Sequence, residues 1–292
     1  MKKFQLNILG ERINPGFKST RALFDNEDLA GIQALAVKQV EAGAFALNVN
    51  VGPRAKSDPQ FMAEVIKAIQ AVVSVPLSFD FPGADVQEVC LKAYNQQKAG
   101  GQMPIINSIA ETRWDLLDLL KIRPFKVILM GTERLEDGVA KPNKNGEEIA
   151  ATAKRTTQRL VRDHGMKVSD IFVDISVSAL IADTTGMTRA TLDGIRLIGS
   201  DPELKGIHIS GGLSNIGQQL PVNAADGSNL KEQLEFAFLT IAVPYGMNTV
   251  LGTPWRAYKP LDDDNFVLNT FKGFIGLTGS NALRQVRRFY KA

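Results

Sequence analysis

Phe45-Ala46-Leu47-Asn48-Val49-Asn50 and, further on, Leu77-Ser78-Phe79-Asp80 enclose a segment whose apolar side chains fall at Phe61, Val65, Ile66, Ile69 and Val73. The flanking runs are short, apolar and rich in strand formers, while the intervening side chains recur at helical intervals. Asp58-Pro59 supplies a helix start, with the carboxylate as cap and the proline at the first helical position. This is one strand-helix-strand unit, and each of its strands stops at a polar residue. Parallel strands joined by covering helices follow from that pattern.

The same pattern repeats along the chain. Apolar runs at residues 5–9, 45–49, 77–79, 104–106, 126–130, 171–173, 206–209 and 249–251 give eight predicted strands. Between them lie helical segments: one through Leu29, Ile32, Leu35, Ala36 and Val40, the one quoted above, and one through Val86, Val89, Cys90 and Ala93 with Asp85 as its cap. Others cover residues 114–120, 149–161, 192–198, 230–241 and 266–275. Eight such units predict a (β/α)8 TIM barrel. No linker or low-complexity tract divides the chain, so residues 1–292 are expected to form a single domain with a short C-terminal helical extension. The longer loops, 136–146 and 217–229, each follow a strand and are expected above the face where barrels carry their chemistry.

Composition narrows the possibilities. Hydrophobic residues make up 44% and charged residues 22%, enough apolar material for a large core. The net charge of +3 is small and spread out, which points away from nucleic acid. The single cysteine, Cys90, excludes an internal disulfide, a four-thiolate iron–sulfur cluster and a cysteine-rich zinc site. A cytoplasmic setting is the expectation. Met1-Lys2-Lys3 could open a secretion signal, but Gln5, Asn7 and Gly10-Glu11 interrupt the apolar stretch that it needs. Residues 236–247 are the most apolar segment, shorter than the ~20 residues that span a bilayer. They read as a buried helix, and no membrane partner is expected.

The strand ends carry the chemistry. The first ends in Gly10-Glu11-Arg12-Ile13-Asn14, the second in Asn48-Val49-Asn50, the third in Asp80, the fourth in Asn107-Ser108, the sixth in Asp174 and the seventh in Ser214-Asn215. A barrel brings these ends to one pocket. Carboxylates accept hydrogen bonds and carboxamides both donate and accept. That set complements a pterin, whose amino group and neighbouring ring N–H can pair with one aspartate. Blander roles stay open: Asp80 as a turn residue, Asp174 in a buried ion pair, Asn107 and Asn215 as cap or loop residues, and Gly211-Gly212 as a phosphate-cradling loop. His164 sits at a helix end and His208 within a strand, packed in the barrel wall. Neither makes a metal site or a nucleophilic triad, and no metal is expected. Catalysis by positioning and hydrogen bonding is the expectation.

From Leu9 to Gly252 the sequence resembles the methyltetrahydrofolate:corrinoid methyltransferases, relatives of the folate module of cobalamin-dependent methionine synthase and, more remotely, of dihydropteroate synthase. The anchors are Gly10-Glu11-Arg12-Ile13-Asn14, Asn48-Val49-Asn50-Val51-Gly52, Asp80, Ile106-Asn107-Ser108, Asp174 and Gly212-Leu213-Ser214-Asn215. The resemblance implies that Asp80, Asn107 and Asp174 hold the pterin ring and that Asn215, as the catalytic residue, hydrogen-bonds the nitrogen that carries the methyl group. Glu11, Asn48, Asn50, Gly212, Ser214 and Gln218 complete the implied folate site. It further implies tetrahydrofolate and methyltetrahydrofolate as substrates, a cobalamin brought by a separate corrinoid protein, and a homodimer.

Two positions depart from those relatives. They usually carry aspartate where this chain has Asn48, and an arginine in the loop after the Ser-Asn pair, whereas no arginine lies between Arg196 and Arg256. Two other readings stay beside the methyltransferase. A dihydropteroate synthase-like enzyme should show a Ser-Arg-Lys type sequence near its last strand, where this chain has Thr253-Pro254-Trp255-Arg256. A non-catalytic folate-binding or corrinoid-partner module would keep the pocket without turnover.

Overall fold

The computed structural model describes residues 3–291, so Met1, Lys2 and Ala292, including the start of the possible secretion signal, lie outside the described residues. Ten strands form: β1 (Asn7–Ile13), β2 (Ala46–Val49), β3 (Leu77–Asp80), β4 (Ile105–Ile109), β5 (Lys126–Met130), β6 (Glu133–Glu136), β7 (Val139–Pro142), β8 (Ile171–Asp174), β9 (His208–Ser210) and β10 (Thr249–Gly252). All except β6 and β7 run parallel in one sheet of order β10-β1-β2-β3-β4-β5-β8-β9. The two ends of that sheet meet where Leu251 N–H donates to Gly211 O at 3.1 Å and Asn248 N–H donates to Ile209 O at 3.3 Å. The sheet is thereby a (β/α)8 barrel with a thin seam between β9 and β10.

Helices Leu29–Glu41, Pro59–Ile69, Ala84–Ala93, Gly146–His164, Met187–Ser200 and Leu230–Ala242 cover the barrel. Asp58 caps its helix as expected, accepting from Phe61 N–H. Asp85 does not: Gly83 occupies the cap and Asp85 falls in the first turn, where a carboxylate still suits the helix dipole. The segment at Trp114–Lys121 is a 3-10 helix rather than an α-helix. Its sequence repeats every three residues, so Asp115 and Asp118 share an exposed face while Leu116, Leu117 and Leu119 are buried. A period of three fits three residues per turn.

The expected loop at 136–146 also resolves differently. β6 and β7 pair as an antiparallel hairpin, Glu136 against Val139. Its two turn residues, Asp137 and Gly138, both have positive φ, at 53° and 78°. That is the backbone a two-residue hairpin turn demands, and Asp-Gly is a preferred sequence for it. After β10 the chain adds helices Phe266–Phe274 and Gly279–Arg288.

Alternation along the strands places the site. Leu9, Ala46, Ile105, Ile128 and Phe172 form a separate buried cluster inside the barrel, with His208 stacked on Phe172 at 4.5 Å between ring centroids. Side chains two residues apart share a face. Two residues beyond four of these floor residues stand Glu11, Asn48, Asn107 and Asp174. The barrel therefore has an apolar floor and a polar rim.

Candidate active site

At that rim lies a cavity of about 330 Å³, within the range of small-molecule sites. Of the residues expected to form the site, Glu11, Asn48, Asp80, Gly212, Ser214, Asn215 and Gln218 line it. Asn50 and Asn107 stand behind these, joined to them by side-chain hydrogen bonds. Asp174 is not among the lining residues; it stands half-buried in the next layer, close enough for the charge of Asp80 to act on it.

Asp80 Oδ2 accepts from Asn48 Nδ2 at 2.9 Å and from Asn50 Nδ2 at 3.1 Å. Asn48 Oδ1 in turn accepts from Asn107 Nδ2 at 3.2 Å. The partners of Asp80 come from a neighbouring strand and the loop that follows it, so a local turn does not account for it. Asn107 likewise spends its amide on Asn48, two strands away, rather than on a cap; the peptide bond that follows it, to Ser108, is cis.

Asp174 has no cationic side chain within ion-pair distance among the described residues, which leaves the buried ion pair without a partner. Its Oδ1 accepts from Ser176 N–H at 2.6 Å, a contact made possible by the left-handed backbone of Ser176 at φ 47°. Burial raises this carboxyl to about 6, the charge of Asp80 adds to the rise, and the hydrogen bonds from Ser176 oppose it. Such a group can change charge near neutral pH.

Glu11 is buried between two hydroxyls, accepting from Ser214 Oγ at 2.9 Å and Thr253 Oγ1 at 3.1 Å. Burial raises its pKa more than these bonds and the nearby Arg12 and Arg256 lower it. Asn215 lies on a short turn, Leu213–Asn215, and its Oδ1 accepts from Gln218 Nε2 at 2.7 Å. Its Nδ2 is left toward Gly212, where a Cβ would come within 3.2 Å of it. Gly212 thus makes room for the asparagine. Gly211 is a packing residue, since a Cβ there would press on Ile175 and Val177 at 3.0 Å.

Asn14, named with the first strand end but not assigned to the folate site, also lines the cavity, as do Gly16, Phe17 and Leu251, which were not predicted. Phe17 is backed by the Arg12 guanidinium, 3.9 Å from its ring centroid. The first three follow Glu11 directly, so proximity in sequence to a recognised strand end was the available signal. Thr253 follows the last strand, where only the polarity of its hydroxyl marked it.

A model of the pterin binding enzyme family matches residues 11–251. Among curated proteins, a methylcorrinoid:tetrahydrofolate methyltransferase of Eubacterium limosum is 23% identical over 260 residues, 85% of this chain and 84% of that one. Among solved structures, dihydropteroate synthase of Xanthomonas albilineans in complex with indole-2-carboxylic acid and 6-chloroguanine superposes with a TM-score of 0.57 at 16% identity, covering 94% of this chain and 93% of that one. Dihydropteroate synthase of Thermus thermophilus gives 0.57 and 16%, covering 92% and 94%. At such identities the structural likeness establishes the fold.

Proposed function

The chain belongs to the pterin-binding enzymes, and we propose that it moves a methyl group between tetrahydrofolate and the cobalt of a separate corrinoid protein. The observation that carries this reading is the placing of Asn215 on the wall of the same cavity as Asp80, with its Nδ2 free of the Gln218 bond. A pterin seated against Asp80 would bring a ring nitrogen within the range of a carboxamide that can donate or accept. The similarity to the Eubacterium limosum methyltransferase supports the same reading.

In the direction toward folate, the ring nitrogen attacks the methyl carbon, the carbon–cobalt bond breaks, and its electron pair stays on cobalt. The nitrogen then gives up its proton. In reverse, a proton on that nitrogen weakens its bond to the methyl group, and reduced cobalt supplies the electron pair. Asn215 suits both directions because its amide can serve either protonation state of the nitrogen. Asp80, Asn107 and Asp174 would hold the ring.

The dihydropteroate synthase-like reading has less support. Arg256, the cation after the last strand, is engaged by the buried carboxylate of Glu235, and Thr253 is engaged by Glu11. The decisive measurement mixes the protein with methyltetrahydrofolate and cob(I)alamin, and separately with tetrahydrofolate and methylcobalamin, while the cobalt spectrum is followed. Conversion in at least one direction is expected. Folate binding with no conversion in either would overturn the catalytic reading in favour of a binding module.

A further inference from the structure

Asn48 is fully enclosed, at 1% exposure, yet it touches the two side chains best placed to read a pterin edge. A carboxylate oxygen can only accept. The NH2 end of Asn48 must therefore face Asp80 Oδ2, which it does at 2.9 Å. Its carbonyl is then turned the other way, where it accepts from Asn107 Nδ2 at 3.2 Å. Asn107 thus spends one N–H of its NH2 on Asn48, and its own carbonyl is turned away from that contact. Asn50 is fixed independently, because its carbonyl accepts from Gly52 N–H at 2.7 Å while its NH2 serves the same Asp80 oxygen.

We infer that Asn48 is a positioning residue that sets the proton requirement of the pterin site: its amide holds Asp80 as an acceptor for the ligand and fixes the Asn107 amide behind it without a proton being taken up. The inference rests on the pterin reading given above. Aspartate in its place would set two acceptors against each other at this separation. The contact could then form only with a proton between them, shared by the pair. The charged groups facing the pair are Glu11 on β1 and Asp174 on β8, both acidic, and they would favour retention of that proton. On β4 the facing residue, Asn107, is neutral. The nearest cations to Glu11 are already occupied, Arg256 by Glu235 and Arg12 by the Phe17 ring and Ser19. The amide does the work of the carboxyl and its proton together.

The test is calorimetric binding of tetrahydrofolate, without oxygen, between pH 6 and 9, in the wild type, Asn48→Asp and Asn48→Ala. Asn48→Ala loses two hydrogen bonds and should bind about tenfold more weakly with a pH profile parallel to the wild type. Asn48→Asp should lose affinity relative to the wild type by up to about tenfold per pH unit above the pKa of the shared proton. Its binding enthalpy should also vary with the ionisation enthalpy of the buffer, as proton uptake requires. In the wild type at pH 8, above the titration of Asp174, that buffer dependence should be absent, a readout that stands even if a variant fails to fold. Proton uptake by the wild type at pH 8, or an Asn48→Asp profile parallel to the wild type, overturns the inference alone. A wild type that does not bind tetrahydrofolate overturns the pterin reading and this inference with it.

Discussion

Asn215 and Asp174 lend themselves to opposite tests, one of rate and one of stability. Asn215 is held at one end by Gln218 and given room by Gly212, so its free amide is preorganised. Asn215→Ala is expected to slow single-turnover methyl transfer about a hundredfold, the usual loss for one preorganised hydrogen bond, with tetrahydrofolate affinity changed far less. An unchanged transfer rate would remove Asn215 from the chemistry. Asp174 is an acid whose folded-state value, about 6, lies above its ordinary value of 3.8. The folded protein then holds the proton more tightly than the unfolded chain, so stability falls as pH rises between these values and the full cost is present above 6. Two units correspond to about 3 kcal/mol. Asp174→Asn is accordingly expected to be more stable than the wild type at pH 8, with the gain fading toward pH 4, when urea midpoints are compared across that range. A gain that is the same at both ends would show that burial of the charge is not the cause.

At the scale of elements, apolar periodicity was sufficient wherever strand met helix, and failed where spacing or close contact decided the outcome. All eight barrel strands fall on the predicted apolar runs, but the hairpin of β6 and β7 has flanks of charged residues, Glu133-Arg134 and Lys141, with no apolar alternation to announce it. Only Asp137-Gly138 carried the signal. The packing of helix Gly146–His164 on helix Met187–Ser200 was equally hidden, because it depends on the absence of a side chain. A Cβ at Gly146 would lie 2.8 Å from the backbone of Asp193 and Gly194. Backbone cannot move aside as a side-chain tip can, so Gly146→Ala must push the helices apart. The expected cost is about 1–3 kcal/mol, read as a lower urea midpoint with an unchanged slope. A midpoint equal to that of the wild type would mean that the two helices are free to separate at no cost.

Across the whole molecule, what could be read in the sequence was the ring of polar strand ends, because a barrel turns eight distant termini into neighbours. What could not be read was which of them would pair with which. Asp80 and Asn48 were identified singly, while the chain of amides that fixes their orientation emerges only from register. The same holds for Glu11, predicted as a ligand contact and found to join three strand ends. Its carboxylate accepts from Ser214, beyond β9, and from Thr253, beyond β10, while the residue itself belongs to β1. Those contacts lie over the seam, where β9 and β10 share few backbone hydrogen bonds, one of them from Leu251 N–H to Gly211 O. Glu11→Ala would leave both hydroxyls without their acceptor, at a cost of about 1–3 kcal/mol. The loss should be felt locally before it is felt globally. Native-state hydrogen exchange should therefore quicken at Leu251 and Asn248, while Val127 and Leu129 on β5, away from the seam, exchange at rates set by global unfolding. Glu11→Gln, which can still accept from one hydroxyl and donate to the other, should restore most of the protection. If exchange at Leu251 rises no more than at Val127, the carboxylate is a feature of the pocket alone and the seam is held by packing.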